Sequence, residues 1–380
     1  MPISRRAALD SPRLDGALSF DLDSGVAAID LARESFVDAY AVVGLACFIA
    51  SAAGDGLAVR LVLPEDPDVR SWLSRMHLGA VIEAFGVRVE GALPRIAERD
   101  RRDTLIELQR FDDAHGSDRL ASFIWDRLEG GADGEVVNQL FEATGELGLN
   151  VVEHAGSPAG GFVAAQRYKA GMPEEWIIVA VGDVGVGIRE SLRPRYGDMT
   201  DGEAVGRAIQ WHVSRVPDEG RGQGLPGVVE GVRGLDGVVW IRTGAVSRTI
   251  TRRRETTIGV SRLQGTIVGA RLPCRPGRRP RGRRRDPTMS TLIAPKLLSS
   301  RHQARELTAS LAEDLSGTVV LVDCSALQAS TPSFVDELVK AVLVDRGGER
   351  LILKGAPERT VELARRAAQN RGVVDRLVTG

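Results

Sequence analysis

An apolar segment at residues 176–181, WIIVAV, runs directly into the glycine-rich sequence GDVGVGI at residues 182–188. The apolar run predicts a buried strand, and the glycines predict that this strand ends in a tight turn. Gly185 and Gly187 leave a backbone that tolerates positive φ and the close approach of a planar ligand. Asp183 is a fixed carboxylate that can accept a hydrogen bond from an exocyclic amine. Taken alone, such a segment is most often simply a turn.

A helix is predicted over residues 135–154, where Glu146, Asn150 and His154 follow one another at spacings of four. This spacing places the three side chains on one helix face. The carboxylate could orient or deprotonate water, and the amide oxygen could bind Mg²⁺, a hard cation that prefers oxygen. The alternative is that the stripe is an ordinary solvated face.

Two further segments complete the pattern. GRGQGLPGV, at residues 220–228, leads into an apolar helix, and a glycine-rich backbone at a helix N-terminus can hold phosphate. Its candidate binding residues are Gly220, Arg221, Gly222, Gly224 and Leu225. The last segment, GTIVGARLP at residues 265–273, predicts a strand with Thr266 at its start.

These four elements, in this order, resemble the GHKL family (gyrase, heat-shock chaperone, histidine kinase, MutL), and the resemblance covers most of residues 103–273. ELGLN resembles the N box, GDVGVG the G1 box, GRGQGL the G2 box in the lid, and GT the final strand. The resemblance implies an ATP-binding α/β sandwich with a mixed sheet and helices on one face. The sequence GxxxxGK[ST] of a P-loop does not occur.

The resemblance also implies roles for individual residues. Glu146 would be the general base or water-orienting residue, and Asn150 the Mg²⁺ ligand. Asp183 would read the adenine amino group, and Thr266 would back the adenine pocket. The short lid is similar to that of anti-sigma factor kinases and histidine kinases, and Glu146 favours the anti-sigma or ATPase branch. His154 is expected to pack or cap rather than accept phosphate.

The C-terminal block, residues 290–380, alternates predicted strands and helices. Its segment VDCSALQASTPSFVDELV resembles the STAS-like domains of anti-anti-sigma factors, and Ser333 falls at that family's phosphoacceptor position. The family's Asp-Ser-Ser-Gly is replaced by Ser-Thr-Pro-Ser-Phe. The alternative is structural: Thr331 caps a helix, Pro332 is its first residue and Phe334 is buried.

The N-terminal block, residues 1–91, has the same strand–turn–helix order and resembles a degenerate STAS-like domain. Tyr40 stands where the acceptor serine would be. This block is therefore expected to serve docking or dimerisation, so a homo-oligomer is one of the expected assemblies. The expected class is α/β, with a central GHKL-type sandwich between two small STAS-like modules.

Residues 274–289 separate the second and third blocks. Seven arginines occur among residues 275–285, with Pro and Gly and without an apolar residue, which is typical of a disordered linker. Contact with nucleic-acid phosphates is the alternative. Met289 begins a segment that resembles a fresh N-terminus, as in a fusion.

Composition narrows the class of protein. The formal net charge of -1 argues against a general nucleic-acid or membrane binder, and the 4% of aromatic residues argues against base stacking. No apolar run reaches the ~18 residues of a membrane span, and the N-terminus does not resemble a signal peptide. Cys47, Cys274 and Cys324 are far apart, which favours buried thiols in the cytoplasm over a metal site.

Four hypotheses for function remain open. The first is an ATP-binding signalling protein, a Mg²⁺-dependent ATPase switch that acts on protein partners through its STAS-like modules. The second is a serine/threonine kinase similar to anti-sigma kinases, acting on Ser333 or on a partner. The third is a scaffold that binds nucleotide without catalysis. The fourth is nucleic-acid binding through the arginine-rich segment, which would depend steeply on salt.

Overall fold

The computed structural model describes residues 14–21, 25–95, 105–128, 132–168, 175–210, 213, 224–274, 290–315 and 318–380. The chain divides into two compact units. The first contains Met1–Asp113, Asn150–Gly206 and Val232–Arg275. The second contains Ala114–Leu149, Arg207–Gly231 and Pro276–Gly380. The units therefore interleave along the chain, and the division into blocks 1–91, 103–273, 274–289 and 290–380 stays a prediction.

A four-stranded sheet begins the first unit. Its strands, in spatial order, are β1 (Leu18–Asp21), β2 (Val26–Asp30), β3 (Ala58–Val62) and β4 (Arg88–Glu90). β1 is antiparallel to β2, whereas β2, β3 and β4 are parallel. Its helices are α1 (Ala39–Gly54), α2 (Pro67–Arg75) and α3 (Leu78–Ala84), and a 3-10 turn precedes β1 at Leu14–Ala17.

The helices α4 (Ala114–Leu128) and α5 (Gly134–Asn150) come next in the chain, and they belong to the second unit except for Asn150. The second sheet of the first unit contains β5 (Leu105–Phe111), β6 (Gly161–Tyr168), β7 (Trp176–Asp183), β8 (Val238–Thr251) and β9 (Glu255–Pro273). Its spatial order is β5-β6-β7-β9-β8. A π-helical turn at Val151–Ala155 and the helices α6 (Gly187–Tyr196) and α7 (Asp201–Ala208) accompany it.

The α/β class is confirmed, but the expectation of a mixed sheet is wrong for this second sheet. Every neighbouring pair of its strands is antiparallel. The reason lies in the length of the connections: β6 and β7 are consecutive strands separated by seven residues, and β8 and β9 are consecutive strands separated by three. Parallel neighbours need a crossover connection of about a dozen residues or more, and connections of these lengths are too short for one.

Helix α1 is buried along almost its whole length because it is apolar on every side. Asp38 caps its N-terminus, and the carboxylate accepts a hydrogen bond of 2.8 Å from the Ala41 amide. The helix packs against β3 of the first sheet and against β6, β7 and β9 of the second, within one hydrophobic core. Tyr40 contacts Trp240 edge to face.

The C-terminal part of the second unit is a small α/β body. A parallel sheet contains β10 (Ser290–Ile293), β12 (Val319–Asp323), β14 (Arg350–Lys354) and β15 (Leu377–Thr379), in that order. A short parallel pair is formed by β11 (Leu297–Leu298) and β13 (Ala329–Ser330). The helices are α9 (Arg301–Thr308), α10 (Pro332–Val339) and α11 (Glu358–Asn370), with a π-helical turn at Lys340–Asp345 and a 3-10 turn at Val374–Arg376.

Helix α8 (Gly224–Gly234) begins in the second unit and ends in the first. Cys47, Cys274 and Cys324 are all buried free thiols, as expected. In the part of the chain that the structure describes, no helix combines the length and the hydrophobicity needed to cross a membrane.

The contact between α1 and β7 gives a testable prediction. A Cβ at Gly182 would lie 2.7 Å from the Cys47 sulfur and 2.9 Å from a Val43 methyl. We expect Gly182→Ala to lower the free energy of unfolding by about 1–3 kcal/mol through overpacking. In the double variant with Cys47→Ala, the cost should be less than the sum of the two single costs. Urea denaturation measures both.

Gly259→Ala is the matched control, because a Cβ there would meet no atom within 4 Å. It should change the free energy of unfolding by less than about 0.5 kcal/mol. An unchanged urea midpoint in Gly182→Ala would show that α1 does not pack tightly on β7.

Candidate functional site

Asp183 is the last residue of β7, and its side chain is only 5% exposed. Its Oδ1 atom accepts a hydrogen bond of 2.8 Å from the Gly185 amide. Burial raises the pKa of this carboxyl group to about 6, although hydrogen bonds from the backbone amides of Gly185 and Thr266 act in the opposite direction. Because a carboxylate has about four acceptor positions, this group can accept a further hydrogen bond.

The glycines after Asp183 allow two backbone segments to meet. A Cβ at Gly185 would lie 2.0 Å from the carbonyl oxygen of Ala155. That same oxygen accepts a hydrogen bond of 2.8 Å from the Val186 amide. Residue 185 must therefore be glycine for the strand end to contact the π-helical turn, and direct contact of Gly185 with a ligand stays a prediction.

Thr266 lies opposite Asp183 in the β7–β9 register. Its neighbour across the β8–β9 pair is Thr243, whose Oγ1 donates to the Gly265 carbonyl oxygen at 2.9 Å and lies 3.3 Å from the Thr266 Oγ1. A Cβ at Gly187 would lie 2.9 Å from the Thr243 hydroxyl. Thr243 was not among the residues predicted from sequence, because only strand pairing reveals that it faces Thr266.

Glu146 lies in the second unit, and its carboxylate is held by Ser333. The Ser333 amide donates to Oε1 at 3.0 Å, and the Ser333 hydroxyl donates to Oε2 at 2.9 Å. Both residues are buried, with 3% and 5% of their surface exposed. Burial raises the pKa of Glu146, while the positive charge of Arg301 and the two hydrogen bonds from Ser333 lower it. A carboxylate placed in this way can accept the proton of the serine hydroxyl.

The start of α10 orients Ser333. Thr331 caps the helix and accepts a hydrogen bond of 3.2 Å from the Phe334 amide, and Pro332 is the first helical residue. The Thr331 hydroxyl donates to the Ser299 carbonyl oxygen at 2.7 Å. Thr331 thus has the capping role that the alternative interpretation gave it. Because Thr331 takes that role, the Ser333 side chain is available to bond Glu146.

Gly224 begins α8 beside the same carboxylate. A Cβ at Gly224 would lie 2.5 Å from the Glu146 Oε2 atom. The first turn of a helix carries amides without intrahelical partners and favours negative charge. Leu225 follows in this turn and is half-buried. The structure therefore brings Glu146, Gly224 and Ser333 together. The other predicted lid residues, Gly220, Arg221 and Gly222, lie outside the described residues.

Asn150 is the last residue of α5, one turn after Glu146, and is half-buried. The α-helical pitch ends there, because the π-helical turn at Val151–Ala155 follows directly. The change in pitch takes His154 away from the spacing that would align it with the other two. Within the described ranges, no three His, Cys, Asp or Glu side chains are grouped so that they could hold a metal ion.

The pKa of Asp183 gives a prediction about stability. Its pKa of about 6 in the folded protein lies above the ordinary aspartate value of 3.8, so the native state binds the extra proton between these pH values. The contribution of Asp183 to the free energy of unfolding should therefore fall as pH rises from about 4 to 6. The free energy of unfolding of Asp183→Asn should therefore rise relative to that of the parent protein as pH increases over this range, by at most roughly 3 kcal/mol.

Urea denaturation of both proteins at pH 4, 5, 6 and 7 measures this difference, provided that both remain two-state. Other buried carboxyl groups contribute equally to both proteins and cancel in the comparison. Parallel pH profiles would contradict a raised pKa at Asp183.

Comparisons with known proteins do not show a family for this chain. No protein-family model matches the sequence, and no curated protein matches it. One solved structure, of full-length ShkA in complex with AMPPNP, is 16% identical in sequence and has a TM-score of 0.23. The match covers 88% of this chain and 68% of that one. A similarity of this size does not establish a common fold.

Proposed function

We propose that this protein is an ATP-dependent signalling protein that phosphorylates its own Ser333, with Glu146 as the general base. The observation that carries the proposal is the 2.9 Å hydrogen bond from the Ser333 hydroxyl to the Glu146 Oε2 atom. It joins the residue expected to act as base to the residue expected to accept phosphate, 187 positions apart in the sequence. The resemblance to anti-sigma factor kinases supports the same assignment.

The chemistry requires a base that can take the proton of a serine hydroxyl. The Ser333 oxygen would form a bond to the γ-phosphorus of ATP while the bond to the β,γ-bridging oxygen breaks and ADP leaves. The hydroxyl proton would pass to Glu146. Burial makes this carboxylate more basic than a solvated one, which favours its role as proton acceptor.

Asp183 is the proposed reader of the adenine amino group. Its buried carboxylate has acceptor capacity beyond the amides of Gly185 and Thr266, which fits an exocyclic amine. Asn150 is the proposed Mg²⁺ ligand. Its amide oxygen is a type of ligand that this ion prefers, and phosphates and water would supply the other ligands. When bound, Mg²⁺ would supply positive charge to the phosphates.

Hydrolysis of ATP by water is the second candidate, since Glu146 could equally orient a water molecule. Each oxygen of Glu146 accepts a hydrogen bond from Ser333, so the serine hydroxyl already contacts the base, whereas a water molecule would have to use the remaining acceptor positions. The geometry therefore favours transfer to Ser333 over hydrolysis. Three further parts of the proposal rest on the sequence resemblance: the division into STAS-like modules, the binding of protein partners and the formation of a homo-oligomer.

Incubation of the full chain with Mg²⁺ and ATP labelled at the γ-phosphate tests the proposal. We expect label on the protein, mapped to Ser333 by mass spectrometry and abolished in Ser333→Ala. Glu146→Gln should slow labelling by about 100-fold or more, because the base is lost. Asp183→Asn should weaken the binding of a fluorescent ATP analogue.

Ser325→Ala is the matched control. The Ser325 hydroxyl also bonds a carboxylate, that of Asp323, but this contact is local and far in sequence from Glu146. Its labelling should equal that of the parent protein. Free phosphate released at the same rate in the parent and in Ser333→Ala would instead identify an ATPase. Failure to bind any ATP would overturn the proposal.

A further inference from the structure

We infer that the ion pair between Glu142 and Arg359 is the positioning contact that sets Ser333, rather than a neighbouring hydroxyl, opposite Glu146. The inference rests on the proposed function, which it extends by naming the contact that selects the acceptor. The helices involved are α5, α10 and α11, which lie in the second unit apart from the last residue of α5.

Glu142 lies one turn before Glu146 on the same face of α5. Its carboxylate accepts two hydrogen bonds from Arg359, from Nε to Oε1 and from a terminal nitrogen to Oε2, both at 3.2 Å. The Glu142 side chain is 5% exposed and that of Arg359 is 40% exposed. A bidentate pair of this kind restrains direction as well as distance. Helix α5 therefore holds the C-terminal body at two points one turn apart.

The first turn of α11 connects Arg359 to the acceptor segment. Thr360, the next residue, shares a hydrogen bond of 2.9 Å between its hydroxyl and that of Ser330, and both residues are buried. Ser330 lies three residues before Ser333. Helix α5 therefore contacts this segment at two places. Glu142 is linked to Ser330 through Arg359 and Thr360 of α11. Glu146 bonds Ser333, three residues further along the chain.

A second ion pair joins α10 to the end of α11. Arg371, the residue that follows α11, donates to both carboxylate oxygens of Asp336 in α10, at 3.0 and 2.8 Å. Both side chains are almost completely buried. Helix α11 therefore contacts the segment before α10 through Thr360 near its start and α10 itself through Arg371 at its end. A displacement of Arg359 is thus transmitted to the helix that carries Ser333.

Three hydroxyl groups lie close together in this segment, and they differ in their partners. Ser330 bonds Thr360, and Thr331 donates to the Ser299 carbonyl oxygen, so both partners belong to the C-terminal body. Ser333 bonds Glu146 of α5. Which hydroxyl meets Glu146 depends on how this body is aligned along α5, and the Glu142–Arg359 pair restrains that alignment.

The experiment uses the full chain with Arg359→Ala, Glu142→Ala, the double variant and Arg359→Lys. Hydrogen exchange of residues 331–339, measured without nucleotide, reports whether the Ser333 amide remains bonded to Glu146. Labelling by ATP, mapped over Ser330, Thr331 and Ser333, reports which hydroxyl is chosen. Arg365→Ala is the control, because this arginine of α11 bonds Thr379 within the C-terminal body and not α5.

We expect each alanine variant to speed exchange at Ser333 by about tenfold or more, and the double variant to add little to either single change, as for a coupled pair. Labelling of Ser333 should fall by a similar factor, with label appearing on Ser330 or Thr331, and Arg359→Lys should recover part of it. Arg365→Ala should match the parent protein in both measurements.

The outcomes separate this inference from the proposed function. If Arg359→Ala changes neither the hydrogen exchange at Ser333 nor the hydroxyl that is labelled, the inference is wrong, whether or not the parent protein is labelled. Additive effects in the double variant would also overturn it. Coupled exchange effects in a protein that takes no label would support the positioning contact and refute the kinase function. A thermal unfolding scan of each variant identifies any that fails to fold, and Arg359→Lys then carries the test.

Discussion

The second unit depends on the need to satisfy buried carboxylates on α4 and α5. Glu142, Glu146 and Asp118 are all buried, and a buried carboxylate is costly unless it is paired or hydrogen-bonded. The C-terminal body supplies hydrogen-bond donors to all three. Arg359 bonds Glu142, Ser333 bonds Glu146, and Asp118 accepts from the hydroxyls of Ser299 and Ser300 at 2.5 and 2.7 Å. These contacts account for the grouping of the two helices with the C-terminal body in one unit.

The first unit is organised by an apolar constraint instead. Helix α1 has no polar face to present to water, so it is stable only where other elements cover it on all sides. Two sheets, from blocks that are separate in the sequence, provide that cover. The contact reaches the candidate nucleotide site, because Cys47 and Val43 of α1 pack beside Gly182, the residue before Asp183. The close fit leaves no room for a side chain at position 182.

Much of the local structure could be predicted from sequence. The strand–turn–helix order within residues 1–91 was predicted, and Thr331 followed by Pro332 predicted the start of α10. The strand ending at Asp183 and its glycine turn were also predictable, because apolar runs and glycines act locally. The antiparallel pairing of the second sheet and the role of Thr243 were not, because they depend on which distant strands become neighbours.

The sequence by itself determined which residues carry the candidate chemistry, since a carboxylate, an amide or a hydroxyl has its properties wherever it lies. It marked Glu146 and Asp183 by local pattern, and Ser333 by the resemblance of its segment to STAS-like domains. Only the tertiary structure decided their partners. It placed Ser333 on Glu146 across 187 positions and gave Gly185 its contact with Ala155. The physical reason is that burial and hydrogen bonding between distant segments depend on the packing of the whole unit, which no local pattern contains.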